Sequence, residues 1–243
     1  ASLPMKAAGN LKIPTILIGN FTWYDIYSHF PEAKNETHLI QSLAEEYSHS
    51  TLQILPQCHL DNKIIHHKKE VGFIANKGKN MRNDLVSFLG KKAENKILVF
   101  IYLGEHGTRT VNWEKMRDNK DCLFLTRDPI KHPDVHFIDD KFSYHDLIAS
   151  SDITLTKGGY STLATSFANH KPVITCERDD FYEFEAVREY LQKRQIGIIV
   201  KSAPFKQGDW QEPIKEALKL TVKNKVPLNG EIEIAKIVQQ MLS

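Results

Sequence analysis

The stretch Ile153-Thr154-Leu155-Thr156-Lys157-Gly158-Gly159-Tyr160-Ser161-Thr162-Leu163-Ala164-Thr165-Ser166-Phe167-Ala168 decides how this chain is to be read. A short apolar run stops at Lys-Gly-Gly, and beyond it Leu163, Ser166 and Phe167 share one helical face. The pattern predicts a strand over 153–156, a glycine turn, and a helix over 162–169 with the hydroxyls of Ser161 and Thr162 near its cap. A helix N-terminus attracts anions, because its first N–H groups and the positive dipole end point outward. The stretch asks for a phosphate, although α/β proteins also carry such turns with nothing bound.

Working outward, strand and helix patterns alternate. Apolar runs at 97–103, 122–125, 135–138, 172–175 and 197–200 read as strands. Helical patterns fall at 81–89, 113–117, 144–149, 183–192, 210–220 and 231–242. This alternation predicts a parallel, doubly wound α/β sheet whose ligands bind beyond the C-terminal strand ends, at the switch point. Upstream, a short helix over 3–10, a buried strand over 13–19, an aromatic loop over 20–25, a helix over 35–48 and a strand over 51–55 are expected. The His-, Lys- and Asn-rich texture of 60–72 reads as an inter-domain linker.

Composition narrows the function classes. With 32 Lys and Arg against 30 Asp and Glu, the net charge of +2 offers no basic excess for nucleic acid or an anionic membrane. The runs at 62–69 and 77–79 read as solvated loops. Cys58, Cys122 and Cys176 are widely spaced and form no Cys-x-x-Cys pair, which points to a reducing compartment without disulfides or structural zinc. The histidines lack metal-ligand spacing, so no metal is expected. No apolar run approaches the roughly 18 residues of a membrane span. The start at Ala1-Ser2-Leu3-Pro4, without an initiator Met or signal peptide, reads as a truncation.

Two glycine-rich turns, Gly104 to Gly107 and Gly158-Gly159, each follow a strand and precede a helix. Neither is Gly-x-x-x-x-Gly-Lys-Ser/Thr or Gly-x-Gly-x-x-Gly, which disfavours a P-loop kinase and a standard dinucleotide dehydrogenase. Together they are able to face a diphosphate. A third polar segment, Arg178-Asp179-Asp180-Phe181-Tyr182-Glu183, follows the strand at 172–175. Its arginine suits a phosphate and its carboxylates suit sugar hydroxyls; the same acids also suit a helix start with no ligand.

The combination of Asp146-Leu147-Ile148-Ala149-Ser150-Ser151-Asp152, Lys157-Gly158-Gly159-Tyr160-Ser161-Thr162 and Arg178-Asp179-Asp180-Phe181 resembles nucleotide-sugar glycosyltransferases of the GT-B fold. It looks most like the glycosyltransferase-like domain at the front of plant L-arabinokinases and in related bacterial proteins. Asn20-Phe21-Thr22-Trp23-Tyr24-Asp25-Ile26-Tyr27, Glu45-Glu46-Tyr47-Ser48-His49, Gly208-Asp209-Trp210 and Asn229-Gly230-Glu231-Ile232 add to the match.

The resemblance implies two Rossmann-like domains with the site in the cleft between them. Residues 1–69 would be the rear part of an acceptor-side N-terminal domain, 70–225 the nucleotide-sugar domain, and 226–243 a helix packing back on the first. Gly104, His106, Gly107 and the run Lys157, Gly158, Gly159, Tyr160, Ser161 and Thr162 would cradle the diphosphate of a UDP-linked sugar through backbone N–H groups. Phe137 and Ile138 would lie beside the base, and Arg178, Asp179, Asp180 and Glu183 would approach the sugar. The implied activity is metal-independent glycosyl transfer to an unknown acceptor in the cytoplasm, with no cofactor beyond the donor. A non-catalytic binding module and a sugar-nucleotide epimerase are the alternatives.

Three departures stand out. Thr165 occupies the position where a ribose-holding Glu is usual in such enzymes, and Glu105 replaces the second glycine of the first turn. The segment that often supplies the general base has no counterpart in the sequence, so no catalytic residue is assigned, with Glu105 and His106 the nearest alternatives.

Overall fold

The computed structural model describes residues 2–242, the side chains of Glu105 and His106 excepted. In chain order the elements are α1 (Leu3–Asn10), β1 (Ile16–Ile18), α2 (Trp23–His29), α3 (Thr37–Ser48), β2 (Leu52–Pro56), β3 (Lys68–Val71) and α4 (Arg82–Leu89). They continue with β4 (Ile97–Tyr102), α5 (Gly104–Thr108), β5 (Cys122–Thr126), β6 (Val135–Phe137), α6 (Tyr144–Ser150), β7 (Ile153–Thr156) and α7 (Tyr160–Ala168). The last are β8 (Val173–Cys176), α8 (Glu183–Arg194), β9 (Gly197–Val200), α9 (Ser202–Lys206), α10 (Gln211–Ala217) and α11 (Gly230–Leu242). The chain divides into two compact units. One holds the chain up to Ile74, Arg178–Tyr190 and the chain from Pro227 onward; the other holds Ala75–Glu177 and Leu191–Val226.

The second unit is a six-stranded sheet in the order β6-β5-β4-β7-β8-β9, every pair parallel. Counted from its own first strand this order is 3-2-1-4-5-6, the doubly wound arrangement whose strand order changes direction between β4 and β7. β4 is apolar throughout because helices cover both faces. Val99 and Ile101 enter a core with Phe124, Leu155 and Trp210, while Leu98 and Phe100 enter another with Leu85, Phe142 and Leu147. Trp210 is fully buried and donates its indole N–H to the Phe205 carbonyl at 3.1 Å. Burial of that ring is tolerated because its one polar atom is paired.

The first unit carries the parallel sheet β1-β2-β3. Leu52, Ile54 and Val71 pack there against Ile16 and against Ile234 and Ile237 of α11. The junction is close: Phe73 donates to the Pro227 carbonyl at 2.9 Å, and Gly230 donates to the Phe73 carbonyl at 3.1 Å. A Cβ on Gly230 would stand 2.2 Å from the Gly72 carbonyl oxygen, so only glycine opens α11 here.

Several expectations give way. The linker over 60–72 contains β3, paired with β2 from Gln53↔Lys68 to Pro56↔Val71. Lys68-Lys69-Glu70 hid it, since an edge strand carries charges on its outer side. The strand at 13–19 shrinks to β1 and is not buried, with Ile18 46% exposed at the sheet edge. The aromatic loop over 20–25 contains the start of α2. Thr22 accepts from the Asp25 N–H at 3.2 Å and Asp25 accepts from the Thr22 N–H at 2.6 Å, a capping box that nucleates the helix. Among the described residues, no helix is long and apolar enough to cross a membrane.

Candidate functional site

The switch point of the six-stranded sheet brings three loops together. β4 runs through Leu103 into α5, a single short helix where the sequence predicted an open glycine turn. Gly104 has φ +73, a left-handed conformation that disfavours a side chain. Its N–H donates to Asp128 Oδ2 at 3.1 Å, and the Leu103 N–H reaches the same oxygen at 2.7 Å. Asp128 sits just past β5 and is itself held by Thr126, whose Oγ1 accepts the Asp128 N–H at 2.9 Å and donates to the Ile101 carbonyl at 3.0 Å. Burial pushes the Asp128 carboxyl above its ordinary value, opposed by the two amides and by the charge of Lys157.

The turn after β7 is built differently. Gly158 adopts φ +84, and Gly159 caps α7 with extended backbone and no side-chain hydrogen bond. Its carbonyl accepts from the Thr162 and Leu163 N–H groups. Lys157 is exposed, and its ammonium lies 3.5 Å from where a Cβ on Gly104 would stand. The cation thus leans toward the first turn. Ser161 is exposed, while Thr162 is buried and its Oγ1 accepts from the Tyr144 hydroxyl at 2.8 Å. Burial pushes that phenol up to about 12, so Tyr144 stays a neutral donor bracing the first turn of α7. The hydroxyls predicted to cap the helix do not do so.

Other sequence-predicted residues distribute unevenly. Phe137 is 58% exposed, but Ile138 is fully buried among Leu125, Phe142 and Leu147. Ile138 is therefore a core residue whose side chain is closed to a nucleotide base. Gly107 lies inside α5, and the side chain of His106 lies outside the described residues. The expected N–H cradle is not available at Gly104, whose amide is spent on Asp128. Thr165 is 4% exposed within α7, so this position presents neither charge nor surface to a ribose.

Arg178, Asp179, Asp180 and Glu183 belong to the first unit. Arg178 pairs with Asp180 at 3.1 Å and lies over the Phe181 ring, 5.3 Å from its centroid. Phe181 meets Phe21 edge-on, and Phe21 meets Trp23 in the same way. Glu183 Oε1 accepts from Asn20 Nδ2 at 2.6 Å, which joins the 178–183 segment to the chain before α2. Neither Asp128 nor Asn20 was singled out from the sequence. Their roles depend on contacts across 24 to 163 residues, for which local pattern gives no signal. Among the described residues, no group of three or more His, Cys, Asp or Glu is placed to hold a metal ion.

No family model matches the chain. It is 23% identical over 239 residues to an L-arabinokinase of Arabidopsis thaliana, covering 97% of this chain and only 23% of that protein. Among solved structures, it overlays on the spinosyn rhamnosyltransferase SpnG with a TM-score of 0.64 at 13% identity, covering 100% of this chain and 70% of that one. A glycotransferase of kitacinnamycin gives 0.66 at 12% identity, covering 99% and 73%. UGT89C1 of Arabidopsis thaliana, solved with quercetin, gives 0.61 at 11% identity, covering 99% and 69%. At these identities the likeness establishes the fold, which is that of the GT-B glycosyltransferases.

Proposed function

We propose that this glycosyltransferase-like chain binds the diphosphate of a nucleotide sugar at the switch point of its six-stranded sheet and transfers the sugar to an acceptor. The observation that carries the reading is Lys157, an exposed ammonium beside two left-handed glycine turns and just before the N-terminus of α7, which no side chain caps. An ammonium and a helix N-terminus act on the same anion, and both stabilise negative charge as a diphosphate departs. A solved structure of SpnG with thymidine diphosphate supports the ligand class.

The turn after β7, Lys157 to Thr162, would make the diphosphate contacts, with Gly104 and Gly107 allowing close approach and His106 beside them. Phe137 offers an exposed ring for a base. Arg178, Asp179, Asp180 and Glu183 would meet the sugar through hydroxyl-binding carboxylates. The donor is proposed to be UDP-linked, no metal is required of the protein, and the compartment is proposed to be the cytoplasm. The division at residues 69 and 225 into acceptor-side and donor-side domains is part of the same reading.

A second reading, a binding module that no longer turns over, is favoured by the burial of Thr165 and by the Asp128 carboxylate under the first turn. Calorimetry with UDP and UDP-sugars, followed by an assay of nucleotide release, separates them. Saturable binding lost in Lys157→Ala with acceptor-dependent release supports the transferase. Binding without release under a broad acceptor panel supports the module, and no binding of any nucleoside diphosphate sinks both. Release of an epimerised donor without acceptor would move the assignment to an epimerase.

A further inference from the structure

A cavity of about 350 Å³ opens at the N-terminal edge of the six-stranded sheet, the end opposite the switch point. Lys92 reaches it from the turn before β4, Asn119, Lys120 and Cys122 from the entry to β5, and Asp134 and His136 from the entry to β6. Its size falls within the range of small-molecule sites, roughly 300 to 1,000 Å³. It shares no residue with the switch point.

The charges of the lining are unbalanced. Arg117 is matched by Glu114 at 3.3 Å and Asp134 at 3.4 Å. Among the described residues, neither Lys92 nor Lys120 has a carboxylate within ion-pair distance. Lys92 Nζ instead lies 3.3 Å from His136 Nδ1, and burial, then the Lys92 charge, holds that imidazole below its ordinary pKa. A neutral His136 accepts a hydrogen bond from the Lys92 ammonium at Nδ1 and keeps its own N–H at Nε2. The cavity thus presents cationic and N–H donors, which suit an anion.

One lining group asks for the opposite partner. Asn119 is 8% exposed, and its Oδ1 is buried without a hydrogen-bond partner. Buried acceptors are rarely left so, and the cost is about 1–3 kcal/mol. A doubly ionised phosphate monoester has no proton on its phosphate to offer, so a matching monoester must carry a hydroxyl on its carbon skeleton. Met116, Leu123 and Phe124 supply an apolar floor for the carbon skeleton between them.

We infer that this cavity is a binding site for a small phosphate monoester bearing hydroxyl groups, the chemistry of a sugar phosphate. The phosphate pairs with Lys92 and Lys120, and a hydroxyl donates to Asn119 Oδ1. The site is independent of the nucleotide reading, because it lies at the other end of the strands.

Calorimetric titration at pH 8 with glucose 6-phosphate, glucose and methyl phosphate, which has no hydroxyl when doubly ionised, tests it. Glucose 6-phosphate should bind saturably, about tenfold more tightly than methyl phosphate, reflecting the hydroxyl donated to Asn119. The Lys92→Ala/Lys120→Ala double variant, altered only at exposed positions, should weaken binding by about tenfold or more. The Lys157→Ala variant should bind as the wild type does. Equal affinity for methyl phosphate, full affinity in the double variant, loss of binding in Lys157→Ala, or no saturable binding would each overturn the assignment.

Discussion

The turns after β4 and β7 look alike in sequence and differ in what their backbones are free to do. Both follow a buried strand, and both contain a glycine at positive φ, +73 at Gly104 and +84 at Gly158. At the first, an internal carboxylate has already taken the amides: Asp128 Oδ2 accepts from both Leu103 and Gly104. At the second no side chain caps the helix, and Lys157 leans toward the first turn. A glycine turn is therefore no measure of anion affinity by itself. What matters is how the protein has satisfied the N–H groups from within: the first turn gives two amides to one buried carboxylate, while at the second Gly158 is held only by the Thr156 hydroxyl at 3.4 Å and no side chain caps the helix.

The largest effect that breaks this contrast is expected from Asp128→Ala. It strips the partner from the buried Leu103 N–H and from Gly104, and should destabilise the fold by about 3 kcal/mol, since each orphaned donor costs about 1–3. Urea unfolding at neutral pH measures it, and a loss under 1 kcal/mol would show that the brace is dispensable. Next, Lys157→Ala should leave stability nearly unchanged but lower UDP affinity by about ten- to a hundredfold, the range of one charged hydrogen bond. Gly158→Ala forces a Cβ into a left-handed conformation and should cost about 1–2 kcal/mol of stability, read from the same unfolding curves.

The smallest effect is a slope. Burial raises the Asp128 pKa above its ordinary 3.8, so the folded state holds that proton more tightly than the unfolded chain. Its contribution to stability is present below about pH 4 and is lost as pH rises through the folded value. Asp128→Asn keeps an oxygen for the two amides and removes the titration. Wild-type stability relative to this variant should decline from pH 4 upward, and a difference independent of pH would contradict the shift.

Much of the architecture was legible in the sequence because strands buried on both faces read as uninterrupted apolar runs. Ile97 to Tyr102, Ile153 to Thr156 and Val173 to Cys176 fall within a residue or two of their expected bounds. Elements on the surface were harder. β3 presents Lys68, Lys69 and Glu70, so no periodicity betrays it, and α2 hides its helical face among Phe21, Trp23 and Tyr24. The Thr22–Asp25 pair was the available signal for α2, a Thr-x-x-Asp variant of the capping box. The glycine turns of the site were visible, but their difference was not. Asp128 looks in sequence like any loop aspartate, and only the parallel register of β4 and β5 brings it under Leu103.

The central claim is that the turn after β7, and not the braced turn after β4, receives a diphosphate. Backbone amide chemical shifts recorded during titration with UDP test it most directly. Saturable shifts are expected at Gly159 and Ser161, while the Leu103 and Gly104 amides remain slow to exchange with solvent through their bonds to Asp128. Shifts centred on Leu103 and Gly104 with the β7 turn unmoved would contradict it.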